Sequence, residues 1–199
     1  KIINCHAGKL PFYRGRNVIN WALINGEKEF GITVHYVDEG IDTGDIVLQR
    51  IFPITELDTY KTLLEIAFEE CANILYDSIK IIQTNNVNKI IQSTIHSVGM
   101  YCGRRGIGDE TVNWNDTSRN IYNFIRAICL PGPRASTYLD GNIIYINNSR
   151  FINEAPNYIG KNGQVLAKTK NGFLVKTQDS FIEILEIEGK IKVGKTFGK

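Results

Sequence analysis

A chain of 199 residues, 43% apolar and 22% charged, is long enough for one large domain or a medium domain plus a small one, and too apolar to be disordered by default. Its 23 basic and 21 acidic residues leave a formal charge of +2, a near balance that offers a polyanion no broad field and argues against a nucleic-acid partner. No apolar run reaches the ~18 residues that span a bilayer and no signal-peptide pattern opens the chain, so a cytoplasmic protein with no membrane partner is expected.

The first residues, Lys1 to His6, lack an initiator Met and run at once into a short apolar strand, so further strands are expected upstream. A loop punctuated by Gly and Pro follows through Gly15, and Val18, Ile19, Ala22 and Leu23 recur at helical spacing, predicting a short helix that ends near Gly26. Ile32, Val34 and Tyr36 alternate with Thr33, His35 and Val37 in a β-rich stretch. A loop with Asp38, Gly40 and Asp42 leads to a second strand through Ile46 to Ile51. From Asp58, a stripe of Tyr60, Leu63, Leu64, Ala67, Phe68, Cys71, Leu75 and Ile79 predicts the longest helix. Such strand–helix alternation predicts an α/β layer structure over residues 1–95.

Residues 96–199 have a different texture. A basic, glycine-rich loop from Gly103 to Gly108 precedes a helix from Ser118 to Cys129 with Ile121, Phe124, Ile125 and Ile128 on its core face, stopped by Leu130-Pro-Gly-Pro. Five short β runs follow: Ala135–Leu139, Ile143–Ile146, Val165–Thr169, Phe173–Thr177 and Phe181–Ile187. Their spacing predicts a small barrel or sandwich, and Phe173, Leu174 and Phe181 could supply a homodimer surface. The four cysteines, Cys5, Cys71, Cys102 and Cys129, show neither disulfide-framework nor zinc spacing, and read as idle thiols with no metal to hold.

Strand alternation places Asn4 and His6 on one face of a strand end that opens into a loop, where open α/β sheets put their ligands. The asparagine amide can donate to a developing oxyanion, and the imidazole can pass a proton near neutral pH. Asp42, between Gly40 and Gly44, offers a carboxylate able to orient that imidazole. His35, inside a strand, and His96 read as structural.

In order along the chain, Asn4-x-His6, Leu10-Pro-Phe-Tyr-Arg14-Gly15, Trp21-Ala22, Gly26-Glu27, Gly31-Ile-Thr33-Val-His35 and Asp42-Thr-Gly44-Asp-Ile46 resemble the formyltransferases that use 10-formyltetrahydrofolate. The resemblance covers residues 1–80 and implies a Rossmann-like α/β core whose first strands lie upstream, followed by a small β-rich, barrel-like part. It implies Asn4, His6 and Asp42 as the catalytic trio, and 10-formyltetrahydrofolate as the formyl donor, its pterin against the backbone of Val37, Asp38, Gly40 and Ile41. Asp38 and Glu39 read equally as solvated loop charges.

For the acceptor, Ala7-Gly-Lys9-Leu-Pro and Arg14-Gly-Arg16-Asn17 resemble the sugar N-formyltransferases more than the methionyl-tRNA formyltransferases, which are the alternative. A dTDP-linked amino sugar is therefore expected as the substrate and partner. Its pyrophosphate would need cations such as Lys9, Arg14 or Arg104, though Arg14 could instead brace its own loop. Tyr101 and Trp114 could stack its base, or be core aromatics bridging two subdomains. A hydrolytic relative using the same trio, and a non-catalytic module keeping the fold, are the remaining readings.

Overall fold

The structure, a computed structural model, describes residues 1–85 and 87–198. The chain divides into two units: residues 1–22, 27–58 and 62–105 form the first, and residues 23–26, 59–61 and those from Gly106 onward form the second. The division after Arg105 lies ten residues beyond the boundary expected at 95/96. Main-chain hydrogen bonds explain the difference, because Met100 N donates to Pro11 O (3.1 Å) and Arg14 N to Met100 O (3.0 Å). The two-residue strands β2 (Arg14–Gly15) and β5 (Tyr101–Cys102) consequently pair in parallel.

In the first unit, β1 (Ile3–His6), β3 (Glu29–Tyr36) and β4 (Ile46–Pro53) form an antiparallel sheet in the order β1-β3-β4. β3 is the central strand, paired along both edges, and side chains on both its faces are buried: Phe30, Ile32 and Val34 on one, Thr33 and His35 on the other. The helix α1 (Val18–Ile24) buries Val18, Ile19, Ala22 and Leu23, the spacing read from the sequence. α2 (Tyr60–Gln83) buries Leu63, Ala67, Ile74 and Ser78. Phe68 and Ile79, placed in its core stripe, are exposed, because periodicity marks an apolar arc but cannot say how much of the arc is covered. Ser78 is tolerated inside since its hydroxyl donates to Ile74 O (2.7 Å). A single turn, α3 (Gln92–Ile95), follows.

The second unit pairs one helix with one sheet. α4 (Ser118–Ile128) starts at Thr117, whose hydroxyl accepts from Asn120 N (3.2 Å). The strands β6 (Ala135–Leu139), β7 (Asn142–Arg150), β8 (Val165–Lys168), β9 (Phe173–Lys176) and β10 (Phe181–Ile187) form an antiparallel sheet ordered β6-β7-β10-β9-β8, with β6 and β8 outermost. Ile121, Ile125 and Ile128 of α4 share the core with Ile144, Ile146, Val175, Ile182 and Ile184, each worth roughly 1.5–3 kcal/mol when fully buried. Phe173, Leu174 and Phe181 are half-buried in β9 and β10. The α/β layering and the β-rich part expected from the sequence are both present.

Candidate functional site

The site is assembled on the polar face of the first sheet. Register pairs Asn4 with His35 and His6 with Thr33, so four polar side chains line one face of β1 and β3. β4 joins through Gln49, opposite Thr33. Gln49 Nε2 donates to Thr33 Oγ1 (2.8 Å) and Leu10 O (2.9 Å), and Thr33 Oγ1 donates to Gly8 O (2.7 Å), which holds the loop after β1 against the sheet. A bulge between Val34 and His35 breaks the β3–β4 register at the histidine.

Asp42 closes the cluster. Its Oδ1 lies 3.4 Å from Asn4 Nδ2 and 3.5 Å from His35 Nε2; its Oδ2 accepts from Gly15 N at 2.9 Å and faces His6 Nδ1 at 3.6 Å. Carbonyl contacts assign the ring hydrogens. His6 Nε2 is 2.7 Å from Tyr13 O and His35 Nδ1 is 2.8 Å from Tyr36 O, and a carbonyl only accepts, so both nitrogens carry hydrogen. His35 Nε2 can then accept from Asn4 Nδ2 (3.3 Å), while a proton added to His6 Nδ1 would sit against a carboxylate. Gly8 is needed behind this arrangement: a Cβ there would stand 2.4 Å from Tyr13 O and 2.5 Å from His6 Nε2. Asn4 is exposed and His6 buried, so the amide is the member of the group that solvent reaches.

Asn4, His6 and Asp42 are thus brought together, and His35 joins them rather than serving the strand alone. The signal for His35 was present in the alternation that put it beside Thr33, but only pairing with β1 shows which strand it faces. Val37 and Ile41 are exposed on the loop before Asp42, and Asp38 is spent on shaping that loop, accepting from Gly40 N (3.2 Å) and Thr43 Oγ1 (2.5 Å).

The cations and aromatics named for a phosphate and a base divide between the interior and the surface. Arg14 is turned inward, donating through Nε (3.0 Å) and Nη2 (2.7 Å) to Gln92 Oε1 and through Nη1 (3.1 Å) to Val98 O, which leaves its guanidinium to brace the loop. Lys9 pairs with Glu29 at 2.5 Å. Tyr101 is exposed, with the Arg14 guanidinium 5.3 Å from its ring centroid, and Arg104 is exposed. Trp114 is a core residue of the second unit: it is buried, stacks on Phe197 at 5.4 Å and donates to Thr137 Oγ1 (2.9 Å), so no base can lie on it.

On the other face of β1, Cys5 Sγ lies 3.6 Å from the carbonyl of Cys71 on α2 and beside its thiol. The Cys5 hydrogen bond holds the Cys71 thiol down at about 7 against the opposing effect of burial, and the same contact, with burial, pushes Cys5 up. Among the described residues no helix is long and apolar enough to cross a membrane.

Two family models match the chain, "Formyl transferase" over residues 1–79 and "Formyl transferase, C-terminal domain" over residues 108–197. The methionyl-tRNA formyltransferase of Pelotomaculum thermopropionicum is 37% identical over 186 residues, which is 94% of this chain and 58% of that protein. That of Syntrophomonas wolfei is 34% identical over 194 residues, 97% of this chain and 59% of the relative. The chain therefore spans somewhat under three fifths of the length of these relatives. Among solved structures, the N-formyltransferase from Helicobacter canadensis in complex with folinic acid and dTDP-3-aminofucose superposes with a TM-score of 0.75 at 28% identity, covering 94% of this chain and 66% of that one.

These findings overturn two expectations. The nucleotide-linked amino sugar gives way, because relatives matching nearly the whole chain at 34–37% identity are tRNA-directed, whereas the sugar enzyme is a structural neighbour at 28%. The exclusion of nucleic acid goes with it: net charge sums over a chain and is blind to how cations are laid out on its surface. What the local motifs announced in pieces, both halves of the chain now state together: it belongs to the formyl transferase family.

Proposed function

We propose that the protein transfers a formyl group from 10-formyltetrahydrofolate to the amine of methionyl-tRNA. The observation that carries this reading is the 37% identity with a methionyl-tRNA formyltransferase over 94% of the chain, and the convergence of Asn4, His6 and Asp42 supports it chemically.

The neutral amine attacks the formyl carbon, and negative charge develops on the formyl oxygen. Asn4 is the exposed donor for that oxygen; its contacts of 3.3 and 3.4 Å are at the long limit, so its amide can turn outward at little cost. One well-placed donor is worth about 3 kcal/mol of barrier. His6 and Asp42 carry protons from the amine towards the departing folate nitrogen. The imidazole stays oriented by its Nε2–H on Tyr13 O while Nδ1 exchanges a proton on the side of Asp42. Val37 and Ile41 supply exposed apolar surface, and the backbone of residues 37–41 supplies polar groups, for a pterin ring.

The test is to incubate the full-length protein with 10-formyltetrahydrofolate and methionyl-tRNA and to look for N-formylmethionine after release from the tRNA. Transfer to charged tRNA and none to free methionine is expected, and His6→Ala should lower kcat on the order of 10²- to 10⁴-fold. No formylmethionine above the enzyme-free blank would refute the reading.

A further inference from the structure

Asp42 holds its backbone in the left-handed region, at φ 54, which a side-chain-bearing residue enters only at a cost of roughly 1–2 kcal/mol. Something must keep it there. Two residues on, Gly44 lies so close to Tyr36 O that a Cβ would be 1.7 Å from it, so the chain cannot relax on that side. On the other side stands Gln92, 2% exposed, from α3. Its Nε2 donates to Asp42 O and to Gly44 O, both at 2.8 Å, bridging the carbonyls that flank Thr43. Its Oε1 accepts from Arg14 Nε (3.0 Å) and Nη2 (2.7 Å).

The amide can adopt only one orientation. Arg14 has no acceptor and the two carbonyls have no donor, so exchanging O and N would turn all four contacts repulsive. Its two hydrogens and two lone pairs are then all engaged within the protein, leaving none for a substrate. Gly15, the residue after Arg14, donates its N–H to Asp42 Oδ2 (2.9 Å), so Arg14 and Gln92 together define both the backbone and the carboxylate of Asp42.

We propose that Gln92, oriented by Arg14, is a positioning residue that sets the Asp42 carboxylate against His6 and Asn4 for formyl transfer. The assignment rests on the reading of Asp42 as part of the reacting centre. Gln92→Glu tests it in the full-length protein, since glutamate keeps the size and the acceptor for Arg14 but presents oxygen to the carbonyls of Asp42 and Gly44. Two measurements are made: kcat and KM for formyl transfer to methionyl-tRNA, and the ring-nitrogen NMR resonances of His6 and His35, assigned by single replacement. Expected are a fall in kcat of about 100-fold with both KM values unchanged, and displaced resonances for both rings. Resonances that stay at their wild-type positions, or that move while kcat stays within about twofold, overturn the proposal. Should Gln92→Glu fail to fold, Arg14→Lys, which loses the fork on Oε1, is read in the same way with the same two outcomes. If the wild-type protein transfers no formyl group, the tRNA reading falls, and the ring resonances alone decide for or against Gln92.

Discussion

At the scale of single residues, the group around Asp42 shows how a carboxylate acquires a role. Its two oxygens divide between partners: Oδ1 towards Asn4 and His35, Oδ2 towards Gly15 and His6. Arg14, which its charge alone would put on a ligand, serves that geometry from the interior through Gln92. The cysteine pair is the other place where contact changes chemistry. Held down by its contact with Cys5, Cys71 should be alkylated by iodoacetamide with half-maximal rate near pH 7, because only the thiolate reacts and its thiol is held at about 7. Cys5→Ala should move that midpoint up towards about 8.5, the value of a free thiol. A midpoint that does not move would show that Cys5 is not the cause. Cys102, which burial alone pushes up to about 11, should react more slowly than Cys71.

Among elements, α4 and the strand end after β9 are joined by a buried polar network. Asp179 Oδ1 accepts from Ser118 N (2.8 Å), Ser118 Oγ (2.9 Å), Thr177 Oγ1 (3.1 Å) and Ser180 N (2.9 Å), so the first turn of α4 is satisfied from the sheet. Burial by itself would push this carboxyl up, but the hydrogen bonds together outweigh it and hold it below the usual carboxylate range. Lys176 is wholly buried nearby, its ammonium donating to Thr177 O and Gln178 O; burial pulls it below the ordinary lysine value, opposed by the charge of Asp179. A carboxyl held down in the folded state stabilises it above the unfolded value, about 3.9, and this contribution is lost as pH falls through the folded value. Asp179→Asn should therefore cost about 1 kcal/mol at pH 7, with the difference from wild type shrinking below pH ~4. Urea unfolding at pH 7 and pH 3 checks this, and an equal difference at both would remove the carboxylate from the account.

At the scale of the whole molecule, the formal charge of +2 conceals a local asymmetry. Lys190, Lys192, Lys195 and Lys199 stand in the last ten residues of the sequence with no acidic residue among them, and Lys190 and Lys192 are exposed. If such side chains meet tRNA phosphates, counterion release makes affinity fall with salt, by about 0.9 in the log–log slope for each contact. Replacing Lys190 and Lys192 by Gln should lower that slope by about 2 and weaken all tRNAs alike. Binding measured between low and physiological salt tests it, and an unchanged slope would exclude these two lysines from phosphate contact.

The sequence alone determined whatever depends on neighbours within a few residues. Alternation put Asn4 and His6 on one face, helical spacing located the buried residues of α1 and the start of α4, and the order of local motifs named the family. The same local reasoning left alternatives open where burial or partner choice is set by residues far along the chain. Arg14 meets Gln92 across 78 positions, His35 reaches Asn4 across 31, and Trp114 is hidden by Phe197 and Thr137. Only tertiary structure decided these, because a side chain's hydrogen-bond partners and its distance from water are properties of the packed chain, and periodicity records only which way the side chain points from its own backbone.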